Sequence, residues 1–167
     1  GNTRQVLLEQ EPGGIEDELV VLGRQHVFAV EVLVRGVLAH TVSGPFETVV
    51  ADVVERLKAQ GFGVLSDIDV QATLKAKLGA DMPPYRILGA CNPSFAHQAL
   101  QIEDKLGVLL PCNVIVRETA DRRVEVASVD PVVSMDRTGN AALASTAEEV
   151  RRRLASVIEA VASQPAR

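Results

Sequence analysis

Cys91 and Cys112 are the residues whose types and spacing bear most directly on chemistry, because each is followed at once by an asparagine, Asn92 and Asn113. Asn92-Pro93 is a helix-start signal. The Asn side chain accepts from the first free N–H groups, and Pro fits the first helical position, where its missing N–H would have no partner. Cys91 therefore sits just ahead of a helix N-terminus, whose dipole and free N–H groups favour a thiolate. Cys112 follows Pro111 at the head of a predicted strand. Three chemistries are open to such a pair. One is thiol redox or sulfur transfer, with Cys91 reactive and Cys112 resolving. Another is a metal or haem site built from Cys91, His97 and Cys112. The third is a small-ligand pocket in which Lys77, Tyr85, Asn92 and Asn113 join the two thiols. The plain alternative is packing, since free Cys is among the most buried residue types. Lys77 then reads as a helix-face charge, Tyr85 as a half-buried strand residue, Asn92 as a cap and His97 as a surface or core residue. Two cysteines without a second close pair also fall short of the four-ligand pattern of structural zinc. No cofactor is indicated.

Other motifs carry less. Gly61-Phe62-Gly63 lacks the third glycine of a dinucleotide fingerprint and follows a helix, so it reads as a helix cap. A phosphate-binding loop and an esterase elbow are both absent from the sequence. Asp67 and Asp69 lie on one face of a strand, about 7 Å apart. Asp69 is placed to cap the next helix, and the pair reads as a solvated face ending in that cap.

The elements that position these residues follow from periodicity. Gly36 to Val42 reads as a strand, broken by Ser43-Gly44-Pro45. Phe46, Val49, Val50, Val53, Val54 and Leu57 then recur at spacings of three and four, one apolar stripe of a helix that Gly61 stops. Phe62 to Val70 alternates apolar and polar, the pattern of a half-buried strand. A helix over Gln71 to Leu78 precedes a strand over Tyr85 to Ala90, and the Asn92-capped helix runs to about Ile102. Leu106 to Leu110, Asn113 to Glu118 and Val124 to Val129 read as strands, the last two joined by a hairpin at Ala120-Asp121-Arg122. Thr146 with Glu149 forms a capping box for a final helix, whose stripe is Val150, Leu154, Val157, Ile158 and Val161. Strands joined partly by hairpins and partly by helices predict an α+β domain, a single mixed sheet packed against helices, over residues 35–164. Residues 1–34 form an extension. Its first fourteen residues are polar, end in Pro12-Gly13-Gly14 and read as mobile and dispensable; its Val-rich run over residues 18–34 reads first as an extra strand or hairpin and second as a short helix.

Composition narrows the function classes. The 167 residues are 47% hydrophobic with a net charge of −5, enough apolar content for a core without staples, and acidic enough to repel phosphate. With no Trp and only one Tyr there is no platform on which bases would stack, so nucleic acid is not an expected partner. Arg151-Arg152-Arg153 follows Glu148 and Glu149 and reads as a solvated helix face. The longest apolar runs fall short of the ~18 residues that cross a membrane. Two cysteines without a framework fit a reduced, cytoplasmic setting.

The stretches Tyr85-Arg86-Ile87-Leu88-Gly89-Ala90-Cys91-Asn92-Pro93 and Leu109-Leu110-Pro111-Cys112-Asn113-Val114, with Gly61-Phe62-Gly63-Val64-Leu65 and Asp69-Val70-Gln71-Ala72-Thr73-Leu74-Lys75, resemble the recurring motifs of the domain-of-unknown-function 302 family. The resemblance covers roughly residues 36–134 and leaves out the first 34. It implies a compact α+β domain, often a homodimer, in bacteria and archaea. It marks both cysteines without assigning an activity. Val-rich strands outnumber the helices available to cover them, which independently predicts a dimer through sheet surface. The expectation is a non-enzymatic homodimeric domain binding a small ligand or metal near Cys91 and Cys112. A thiol redox or sulfur-transfer protein and a purely structural dimerisation module are the alternatives.

Overall fold

A computed structural model describes residues 36–163. The expectations for the extension, a mobile leader and a strand or hairpin before Arg35, lie outside the described residues.

The first helix shows how the sequence builds the fold. In α1 (Phe46–Ala59), Val49, Val50, Val53 and Leu57 are buried along one stripe, each contributing roughly 1.5–3 kcal/mol relative to exposure. That gain overrides the weak helix propensity of valine. Gly61 ends the helix at φ 83°. Its N–H donates to the Lys58 carbonyl at 2.9 Å, and the Phe62 N–H donates to the Leu57 carbonyl at 2.9 Å. This double closure needs a left-handed residue, which glycine supplies without strain. It also folds Phe62 back into the core beside Leu57.

Five strands, β1 (Val37–Val42), β2 (Gly63–Asp69), β3 (Tyr85–Cys91), β4 (Cys112–Glu118) and β5 (Val124–Val129), form one sheet in the order β1-β5-β4-β3-β2. Every pairing is antiparallel. The sheet is thus α+β in class but not mixed in strand direction. The reason is topological: α1 carries the chain from one edge of the sheet to the other, so β1 and β2 never pair. α2 (Val70–Leu78) and α3 (Pro93–Ile102) each return the chain to the adjacent antiparallel strand. With α1, α5 (Ala144–Ala162) covers one face; its Val150, Leu154, Val157, Ile158 and Val161 meet Leu88, Ala90, Cys112, Val114, Val116, Val124 and Val126 in the main core. On the opposite face, Ala39, Ala127, Ile115, Ile87 and Ile68 align in register across all five strands.

Four local expectations are corrected. Leu106 to Leu110 is not a strand: Asp104–Leu109 is a 3₁₀ turn, with Leu106 buried in a second core cluster. A short helix, α4 (Pro131–Asp136), was missed, although Asp130 caps it by accepting from the Val132 N–H at 2.9 Å and Pro131 occupies its first turn. The last helix starts at Ala144, so Thr146 and Glu149 are not its capping box. Thr146 is buried and Glu149 bonds Arg152 and Arg153 instead. Finally, β2 carries a bulge between Val64 and Ser66. Pairing slips by one residue there, which turns Ser66 and Ile68 away from the face that Val64 shares with Ala90. Ile68 is consequently 45% exposed and Leu65 69% exposed.

Candidate functional site

The two cysteines meet where β3 ends and β4 begins. Ala90 pairs with Cys112 across the strands, and Cys91 is the next residue of β3. Asn92 then caps α3, its side-chain oxygen accepting from the Phe95 N–H at 3.4 Å, with Pro93 in the first turn. This cap turns the chain away from the sheet and brings Phe95 over the strand ends. Phe62, delivered by the glycine stop of α1, and Met135 of α4 complete the surroundings. Together they border a cavity of about 20 Å³, lined by Phe62, Cys91, Asn92, Phe95, Cys112 and Met135 among others. A larger open groove of about 720 Å³ runs along α5 past Leu38, Glu148, Arg151 and Arg152. None of the residues singled out in the sequence as candidates lines it.

Burial governs the thiols. Cys112 is buried and its pKa is pushed up to about 11, first by desolvation and then by the charge that Cys91 would carry. Cys91 is half-buried, and burial raises its pKa as well. The helix N-terminus would favour the thiolate, but its effect is typically 0.3–1 kcal/mol and desolvation prevails.

The other candidates divide. Asn92 reaches the cavity, and its side-chain oxygen is already engaged as a cap. Asn113 does not line it: it is exposed on the opposite face, across from Gly89. Tyr85 begins β3 and Cys91 ends it, a separation of about 20 Å at the usual rise per strand residue, so Tyr85 stands at the far end of the sheet. Lys77 is exposed on α2, a helix with no buried residue, and takes no part in the cavity. His97 is exposed on α3 and does not line the cavity either. Among the described residues no three His, Cys, Asp or Glu side chains come together as metal ligands, so Cys91, His97 and Cys112 are not brought together as one set.

Asp67 and Asp69 take the plain reading. Arg86 donates to both oxygens of Asp67 at 2.8 Å, and lies 3.8 Å from Asp69 and 3.6 Å from Glu47. Asp69 also accepts from the Ala72 N–H at 2.8 Å, capping α2. The arginine cluster of α5 is likewise paired. Arg152 and Arg153 bond Glu149, Arg151 reaches Asp130 of the α4 cap at 3.0 Å, and Arg153 stacks 5.1 Å above the Phe95 ring. The sequence reading missed Phe62, Phe95 and Met135 as neighbours of the thiols. No spacing rule links them, because three separate elements deliver them. It also passed over Gly89, although a glycine inside a strand commonly marks close backbone approach. The Ser66 hydroxyl and the Pro111 ring occupy the space that a side chain at Gly89 would fill.

An antiparallel sheet backed by two helices, with a two-thiol cavity at the ends of its inner strands, defines an α+β domain of one layer of helices on one sheet. The family model for Domain of unknown function DUF302 matches residues 38–161, and the chain belongs to that family. The fold is similar to the crystal structure of the uncharacterized conserved protein DUF302 from Bacillus stearothermophilus. The TM-score is 0.71 at 28% sequence identity, over 75% of this chain and 98% of that one. No curated protein matches the chain. No helix among the described residues is long and apolar enough to cross a membrane.

Proposed function

We propose that the chain is a non-enzymatic, homodimeric binding domain of the cytoplasm, with its ligand site in the cavity at Cys91 and Cys112. The observation that carries this reading is that both thiols, from two strands, line one small cavity. Its size sets the class of ligand: organic molecules occupy pockets of roughly 300–1,000 Å³, whereas about 20 Å³ holds an occupant of one heavy atom. Dimerisation is supported by Ile115, Ile87 and Ile68, half-buried or exposed and in register on the face away from α1 and α5. The thiol redox reading draws on the same pair of sulfurs, but burial keeps both protonated at neutral pH, and the thiolate is the nucleophile. Native mass spectrometry of freshly purified protein tests the reading. The expected species is a dimer with a small added mass on each chain, and that mass is absent from Cys112→Ser. Monomers without added mass would overturn it.

A further inference from the structure

The cavity lies between two separately packed clusters. Cys112 belongs to the main core, and Met135 to the smaller cluster with Ala99, Leu106, Leu143 and Ala147. Each is buried, and both line the same cavity together with Cys91. Three sulfur-bearing side chains, two thiol and one thioether, therefore line one cavity of about 20 Å³. Oxygen donors are scarce there. The Asn92 side-chain oxygen already accepts from the Phe95 N–H, the buried Thr146 contributes one neutral hydroxyl, and no Asp, Glu or His lines the cavity.

Donor chemistry decides what such a space takes. Calcium and magnesium require shells of oxygen ligands. Zinc takes four nitrogen, sulfur or carboxylate ligands, and the described residues offer no third Cys, His, Asp or Glu beside the thiols. Thiolate and thioether sulfur together select copper(I) and ions like it. We propose that the cavity is a site for a soft monovalent metal ion of the copper(I) class, held by the sulfurs of Cys91, Cys112 and Met135. The proposal rests on the reading of the cavity as the ligand site, and names the ligand.

Binding is an exchange without electron transfer. One copper(I) ion forms bonds to the Cys91 and Cys112 sulfurs and accepts a lone pair from the Met135 sulfur. The two thiol protons leave to the buffer, and copper stays in the +1 state. The resulting centre carries one negative charge.

The test is an anaerobic titration of the full chain with copper(I) supplied as its bicinchoninate complex, whose colour falls as copper transfers to protein. Transfer of one copper per chain, with release of two protons and no displacement by zinc(II), is the expected result. Cys91→Ser, at a half-buried position, should abolish transfer with the fold intact by circular dichroism. This keeps the test valid if Cys112→Ser fails to fold. Met135→Leu keeps the volume and removes the sulfur, and should weaken binding at least about tenfold, the lower end of what the loss of mere outer partners costs a metal site. Copper left with bicinchoninate by the wild type, or equal affinity in Met135→Leu, would overturn the proposal. A wild type that refuses copper and still shows a thiol-dependent added mass in native mass spectrometry would overturn the metal alone and leave the binding reading standing.

Discussion

Gly89→Ala should destabilise the domain by crowding the junction of β3 with the start of β4. A Cβ at this position would stand 2.4 Å from the Ser66 hydroxyl and 2.7 Å from Cγ of Pro111, whereas non-bonded heavy atoms rest comfortably at about 3.5–4.0 Å. The hydroxyl is a light group that can turn away. The Pro111 ring cannot, because it leads directly into Cys112, which is buried and paired with Ala90. Relief requires moving the start of β4, and overpacking of this kind typically costs about 1–3 kcal/mol. Reduced freedom of the unfolded chain returns about 0.4–1 kcal/mol. The net loss is about 1 kcal/mol, or a fall in Tm of about 4 °C for a domain of this size. Gly107→Ala is the matched control, since nothing lies within 4 Å of its Cβ position, and it should change Tm by no more than about 2 °C. Differential scanning calorimetry on wild type and both variants reads the difference. Equal Tm values for Gly89→Ala and Gly107→Ala would show that the Pro111 ring does not constrain Gly89, and would refute the reasoning.

Three further outcomes are expected. Ser128→Ala should stabilise by about 1 kcal/mol, because the Ser128 hydroxyl is buried without a hydrogen-bond partner and removing an unsatisfied group removes its desolvation cost; a clear loss in urea unfolding would contradict this. Glu149 is held at about 2 by Arg152 and Arg153, so its stabilisation is complete above its ordinary value of 4.5 and fades as pH falls toward 2. Tm should drop across that window, and less in Glu149→Gln; identical pH profiles would sink the assignment. In the native protein at neutral pH, iodoacetamide should label Cys91 slowly and Cys112 not at all, with both labelled in guanidinium. Equal native rates would show that burial does not shield Cys112.

Some features needed only the sequence. The valine stripe of α1, the stripe of α5, the Asn92-Pro93 start of α3 and the glycine stops were legible because helix amphipathicity and capping depend on neighbours within one or two turns. The family motifs around the two cysteines were legible for the same reason, being local strings. What depended on distant residues was not. The bulge in β2 turns a seemingly regular alternating run inside out after Val64, since register is set by pairing with β3 and not by the run itself. Leu106 to Leu110 has the composition of a strand, yet it has no strand partner; burial of Leu106 in the second cluster makes it a 3₁₀ turn. Antiparallel pairing throughout required knowing that α1 spans the sheet. The cavity shows the division most clearly. Its two thiols are marked in the sequence, but Phe62, Phe95 and Met135 come from a helix stop, a capped helix and a short helix far apart in the chain, and only the packing of all three against β3 and β4 brings a third sulfur to the pair.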